Sequence, residues 1–283
     1  MQTLKVFQSL WAMELRSPDQ PERTREENFR MVADAGYDGL CIDPSVAEIP
    51  GSLELKTLYK EFGLDCMMNA FPYQPADMQP LYTLASELDA SLVNIIGGVM
   101  PIRPEDAVPV IHRWMDEAKK AGISMLFETH RDSLLNDLYY TLQVIDLLPE
   151  MRLCADLSHF VVDREMRDPV SETDQGYIDR ILERSDCFQG RIANREQVQI
   201  QIGFPQHQEW VEIFRQWWKQ GIRAWRARNA KDATLIFLCE LGPPPYAITD
   251  ASRHELSDRW EEALTIRHWV EEIWNELEAE DKQ

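Results

Sequence analysis

Long hydrophobic runs are missing from this sequence. Nowhere do about 18 consecutive apolar residues occur, the length that a membrane-spanning helix requires. Even the apolar stretch Ser91–Met100 is interrupted by Asn94, Gly97 and Gly98. The opening MQTLKVFQSL carries no basic leader, no apolar signal core and no small-residue cleavage site, so a cytoplasmic chain is expected. Positive charge is also scarce. Against 49 Asp and Glu stand only 29 Lys and Arg, a net charge of −20. A nucleic-acid backbone or an anionic membrane surface would be repelled, so neither is an expected partner. Cysteine is sparse and scattered: Cys41, Cys66, Cys154, Cys187 and Cys239 are odd in number and widely separated. That excludes a disulfide framework and a close-spaced thiolate zinc site, and leaves buried free thiols as their expected role. There is no low-complexity segment, no Gly/Ser linker and no short-period repeat, and Gly242–Pro245 reads as a loop.

What is present is a regular alternation. Short apolar or β-branched runs recur at Leu4–Leu10, Gly39–Asp43, Leu64–Ala70, Leu92–Ile96, Ser124–Glu128, Arg152–Asp156, Asp186–Ile192 and Thr234–Glu240. Between and after them lie stretches with helix-period apolar positions: Arg23–Ala35, Leu53–Phe62, Pro75–Leu88, Glu105–Ala121, Leu134–Leu148, Asp174–Arg184, Gln208–Arg228 and Leu256–Leu277. Ser52 before the second helix, Pro104 opening the fourth, and Gly36, Gly63 and Gly122 after helices fit the chemistry of helix ends. Strand–helix alternation implies a parallel sheet, and eight repeats let that sheet close on itself. The expectation is an α/β fold, a (β/α)8 TIM barrel spanning residues 1–283 as one domain. A doubly wound open sheet is the alternative, weakened because Gln8, Ser9 and Trp11 stand where a G-x-G-x-x-G turn would follow the first strand. Seven of the nine tryptophans fall in the last two helices, where they serve packing first, with a homo-oligomeric interface or an aromatic rim as alternatives.

In a parallel barrel, chemistry gathers at the C-terminal strand ends. The fifth strand ends Glu128-Thr129-His130-Arg131, the sixth Asp156-Leu157-Ser158-His159, the seventh reads Gln189-Gly190-Arg191, and the eighth ends Glu240-Leu241-Gly242. Because strand side chains alternate, Leu126, Glu128 and His130 share a face, as do Cys154 and Asp156, Cys187 and Gln189, and Leu238 and Glu240. Pointing inward, Glu128, Asp156 and Glu240 would converge. Carboxylates about 4 Å apart repel by about 1 kcal/mol per pair in water and about 4 kcal/mol near a protein surface, so the cluster needs a cation or protons. An all-oxygen set of Glu128, Asp156, Glu240 and the amide oxygen of Gln189 suits Mn²⁺ or Mg²⁺ ahead of Zn²⁺ or Co²⁺. The alternative is that each acid separately caps a helix or meets an arginine.

These strand ends resemble those of the xylose-isomerase-like sugar isomerases and epimerases, also called sugar phosphate isomerase/epimerase proteins. The most specific parts are Glu128-Thr129-His130-Arg131, Asp156-Leu157-Ser158-His159 and Glu240-Leu241-Gly242-Pro243-Pro244-Pro245-Tyr246, and the likeness covers nearly the whole chain. The resemblance implies that Glu128, Asp156, Gln189 and Glu240 bind the metal and that His159 faces substrate. It implies too that Glu128 and Glu240 lie on opposite substrate faces and exchange protons with it. One departure stands out. Many members place His on the seventh strand where this chain has Gln189, a substitution shared with metal-dependent dehydratases of the 3-dehydroshikimate type.

The leading expectation is therefore a metal-dependent isomerase or epimerase acting by proton transfer next to a carbonyl of a sugar or sugar acid. Glu128, Glu240 and His159 are its catalytic candidates. His130, Arg191 and Trp11 are the substrate-binding candidates: Arg191 for an acidic group of the substrate or for orienting Glu240, Trp11 for stacking on a sugar face. The rivals are a dehydratase acting on a keto acid and a non-catalytic sugar-binding barrel. The DNA-cleaving three-zinc relatives of this barrel are disfavoured by six histidines in all and by the charge of −20. No Gly-rich phosphate loop follows strands seven or eight, which favours an unphosphorylated sugar or a keto acid.

Overall fold

The structure, a computed structural model, describes residues 1–15 and 17–282. Eight parallel strands close into a barrel in the order β1 to β8. They are β1 (Thr3–Ser9), β2 (Gly39–Ile42), β3 (Asp65–Ala70), β4 (Ala90–Ile95), β5 (Met125–Glu128), β6 (Leu153–Ala155), β7 (Ser185–Gln189) and β8 (Thr234–Cys239). The helices around them are α1 (Arg25–Asp34), α2 (Ile49–Leu53), α3 (Lys56–Phe62), α4 (Met78–Glu87), α5 (Pro104–Ala121), α6 (Leu138–Leu147), α7 (Leu157–Asp163), α8 (Glu172–Arg184), α9 (Gln208–Arg228) and α10 (Arg259–Glu280). The (β/α)8 barrel expected from the alternation is the fold observed. No helix among the described residues is long and apolar enough to cross a membrane.

Two cores hold the barrel. The outer one packs the helices on the strands. The inner one is a single layer inside the barrel, made of Phe7, Cys41, Met67, Leu92, Leu126, Cys154, Cys187, Ile236 and Leu238. All five cysteines are buried free thiols, as their strand positions predict. Barrel closure depends on six consecutive pairings between β1 and β8, from Thr3↔Thr234 to Gln8↔Cys239. The buried Arg259 reinforces that seam, its Nη1 donating to Ala12 O at 2.8 Å and its Nη2 to Glu14 O at 2.7 Å. One side of the seam is the loop after β1, and the other is the start of α10.

Several boundaries differ from those read in the sequence. The second helical stretch divides: Ser52 lies inside α2, its hydroxyl bonded back to Glu48 O at 3.0 Å, and does not cap a helix. The last helix begins at Arg259 because Asp258 caps it, accepting from the Trp260 and Glu261 amides, and it runs on to Glu280. The fifth stretch begins four residues late, at Leu138, where Asp137 accepts from Tyr140 N at 2.9 Å. The seventh strand stops at Gln189, short of Ile192. The unexpected α7 is buried on all sides at its first five residues, so it carries no amphipathic signature. By contrast, α9 has the expected bounds, α5 opens on Pro104, and Gly36, Gly63 and Gly122 all take the left-handed conformation after helices.

Candidate active site

The polar mouth of the barrel lies two residues beyond its inner apolar layer. Phe7, Cys41, Met67, Leu92, Leu126, Cys154, Cys187 and Leu238 belong to that layer. The period of two then turns Ser9, Asp43, Asn69, Asn94, Glu128, Asp156, Gln189 and Glu240 toward the same axis. Sequence reasoning found the last four and missed Asp43, Asn69 and Asn94, although the same alternation rule applied to strands two to four would have found them.

Amides connect these positions. Asn69 Nδ2 donates to Asp43 Oδ1 at 2.8 Å, and Asn94 Nδ2 donates to Asn69 Oδ1 at 2.9 Å. Glu128 Oε2 accepts from Asn94 Nδ2 and, at 2.6 Å, from Gln189 Nε2. Glu128 is thus held by two side-chain amides. Asp156 divides its work: Oδ1 accepts from the Ser158 amide at 3.0 Å and caps α7, while buried Oδ2 accepts no hydrogen bond. Two further buried oxygens, Gln189 Oε1 and Glu240 Oε2, also receive no donor.

Arg191 stands between two of the acids. It is 1% exposed, with Nη1 at 3.2 Å from Asp156 Oδ2, Nη2 at 3.7 Å from Glu240 Oε2, and Nε donating to Glu240 O at 3.0 Å. Of the two roles offered for Arg191, these contacts fit the orienting of Glu240, since the guanidinium is already engaged by protein acceptors. His159 lies beside it, Nε2 at 3.4 Å from Arg191 Nη1 and 3.5 Å from Asp156 Oδ2. Its other ring nitrogen, Nδ1, is buried and unpartnered. His130, half-buried, packs on His159 with ring centroids 3.9 Å apart. Trp11 meets Tyr246 edge-on at 5.3 Å. It lies so close to Gly242 that a Cβ there would fall 2.4 Å from the indole, so only glycine admits this contact.

Burial and crowding set the charges. Burial, then Glu240, pushes the Asp43 carboxyl well above the usual carboxylate range. Burial, then Glu240 and Asp156, does the same to Glu128. Glu240 is raised to about 7 by burial and Asp156, against the lowering pull of Arg191. Burial also holds His130 down to about 4, and burial with His130 and Arg191 nearby holds His159 well below its ordinary value. Both imidazoles are therefore neutral near pH 7 and free to ligate a metal or accept a proton.

The ligating atoms of Glu128, His130 and His159 all lie within 4.8 Å of one another, a spacing that suits a divalent ion. The three acids Glu128, Asp156 and Glu240 form no such trio among the described residues, because the Arg191 side chain intervenes. A cavity of about 660 Å³ opens beside Asp43, lined among others by Trp11, Glu14, Asn28 and Glu48. Of the polar residues turned toward the barrel axis only Asp43 lines it, so it lies to one side of Glu128, Asp156 and Glu240.

Similar structures share this architecture. A xylose isomerase-like TIM barrel protein from Mycobacterium smegmatis, solved in complex with magnesium, superposes with a TM-score of 0.60 at 16% identity, covering 96% of this chain and 97% of that one. An L-ribulose 3-epimerase matches with a TM-score of 0.62 at 13% identity, over 99% of this chain and 97% of its own. The probable 3-DHS dehydratase AsbF from Bacillus anthracis matches with a TM-score of 0.54 at 11% identity, over 94% and 98%. No protein-family model and no curated protein matches the sequence. At these identities the likeness establishes the (β/α)8 barrel fold, and function has to be argued from the site.

Proposed function

We propose that this chain is a divalent-metal-dependent isomerase or epimerase that moves a proton at the carbon next to a carbonyl of a polyhydroxy substrate. The observation that carries the reading is a pair of buried carboxyls, Glu128 and Glu240, brought by β5 and by the end of β8 to one polar mouth. One is fixed by two amides, and the other keeps an oxygen without a donor. The donor set fits a cation. Gln189 Oε1 is a buried oxygen without a donor, Asp156 Oδ2 and Glu240 Oε2 face the Arg191 guanidinium without a hydrogen bond, and neighbouring acids push one another's pKa upward.

Glu128, His130 and His159 would hold the metal, and the further oxygen ligands expected from sequence, Asp156, Gln189 and Glu240, would join them only where Arg191 gives way. A bound divalent ion supplies a positive charge that polarises the substrate's carbonyl oxygen. The chain's own residues do the rest. Glu240 takes the proton from one face of the reacting carbon, and Glu128 returns one on the other face. Arg191 keeps Glu240 in place by binding its backbone oxygen, and His159, with one ring nitrogen toward the metal, would donate its other N–H to a substrate hydroxyl. Trp11, against Gly242 and Tyr246, offers a flat apolar surface to a sugar ring.

A dehydratase begins with the same proton abstraction and then expels a β-hydroxyl. Gln189 and the likeness to a probable dehydratase keep that outcome open as the second reading. The test is metal analysis of the purified chain beside Glu240→Gln, followed by proton–deuterium exchange into ketoses and keto acids in D₂O. Stoichiometric Mn²⁺ or Mg²⁺ that drops in the variant, with exchange at one carbon, supports the reading, and the product separates epimerase from dehydratase. No metal and no exchange would refute it and leave a non-catalytic sugar-binding barrel.

A further inference from the structure

Tyr246, in the loop after β8, supports two guanidinium groups. Arg191 lies over its ring at 4.8 Å from the centroid and Arg131 at 5.4 Å. Their situations differ. Arg191 is buried and taken up by Asp156, Glu240 and His159. Arg131 is half-buried, and among the described residues its side chain makes no hydrogen bond and no ion pair beyond that aromatic contact. In a chain where 49 acids outnumber 29 bases, a guanidinium left without an acid beside the site calls for a ligand.

Its position is at the reacting centre. Arg131 follows His130 just past the end of β5, and His130 packs at a tilt against His159. Four acids surround the axis here, and Arg191 is the cation paired with them. An acidic substrate would be repelled unless its own charge met a separate cation. A guanidinium offers two parallel N–H donors that match a carboxylate, and an aromatic face beneath fixes the plane of that fork. Phosphate esters usually draw several donors, commonly a helix N-terminus or a glycine-rich loop.

We propose that Arg131, seated on Tyr246 at the mouth of the barrel, anchors a carboxylate of the substrate, so that the substrate is a sugar acid or a keto acid. The inference rests on the proton-transfer reading for the location of the site and adds the acidic group. It also moves the task of binding an acid from Arg191, which the structure engages internally, to the arginine that it leaves free.

The test is isothermal titration calorimetry of the purified chain in Mg²⁺ with three probes of equal carbon number: gluconate, glucitol and glucitol 6-phosphate. Wild type is compared with Arg131→Gln and Arg131→Lys. Gluconate is expected to bind wild type more tightly than glucitol. Arg131→Gln is expected to weaken gluconate by about ten- to a hundredfold and to leave glucitol unchanged. Arg131→Lys, which keeps the charge without the fork, should fall between, and it supplies the test should the Gln variant fold poorly. Gluconate binding no tighter than glucitol, or binding indifferent to both substitutions, would overturn the proposal. So would glucitol 6-phosphate proving the ligand most dependent on Arg131. If Arg131-dependent gluconate binding persists while no acid or ketose exchanges a proton in D₂O, the anchor stands and the isomerase reading falls. Exchange into a neutral ketose that is indifferent to Arg131 gives the reverse.

Discussion

Glu262 has no part in the chemistry, and that makes it the cleanest place to test the energetics of this fold. It lies on α10, 9% exposed, and its Oε1 accepts from the Ile202 amide at 3.0 Å, tying the long loop after β7 to the last helix. Burial raises its pKa from 4.5 to about 7, with Ser257 and the Ile202 amide opposing and Glu255 and Asp258 adding. A raised folded pKa means that the folded state binds more protons than the unfolded one between about pH 4.5 and pH 7. The associated stability is fully present below the unfolded pKa and is lost as pH rises through the folded value. At about 1.36 kcal/mol per unit, the ionised carboxylate costs on the order of 3 kcal/mol at pH 8. Glu262→Gln removes the charge and keeps an oxygen for Ile202. Urea unfolding at pH 5 and at pH 8 should show the variant within about 1 kcal/mol of wild type in acid and more stable by up to about 3 kcal/mol in base. A difference between the two proteins that is the same at both pH values would refute the reasoning, as would a variant less stable at pH 8.

Replacing Glu128 or Glu240 by Gln should lower proton exchange by about 10²- to 10⁴-fold while melting stays near that of wild type. An unchanged rate would remove that residue from the chemistry. Asn94→Leu strips Glu128 of one donor and Asn69 Oδ1 of its partner, so a loss of about 1 to 3 kcal/mol in denaturant unfolding is expected. Chelation of the metal-loaded protein should lower its stability. With free ion at about a hundred times Kd, the metal contributes about 2.7 kcal/mol, and a thermal scan with and without chelator reads the difference.

The barrel itself was legible because each strand is a compact apolar run and each helix between them has its own period. The bounds of α9 were legible for the same reason: its tryptophans and Phe214 repeat on one buried face. Other features lay beyond a periodic signal. Residues Leu157–Val161 are buried throughout, and α7 exists because Asp156 caps it at the point where β6 ends. Within the site, Glu128, Asp156 and Glu240 announced themselves at strand ends, whereas Asp43 was passed over, and Asn69 and Asn94 looked ordinary in sequence and matter through the carboxylates they bond. The tie of Arg191 to Glu240 was one of two roles readable in sequence, whereas its pairing with Asp156 was not, since that depends on a second strand end arriving beside it.

The seam between β1 and β8 has a consequence for how this protein is made. Thr3 meets Thr234 across 231 residues, and Trp11 reaches Gly242 and Tyr246 across a similar span. A ribosome adding about 5 to 20 residues per second needs roughly 10 to 50 seconds to cover that distance. Throughout that interval the first strand has one unmatched edge and Trp11 has no partner. The seam and the contact of Trp11 with Tyr246 therefore come into being only after the last strand has been made.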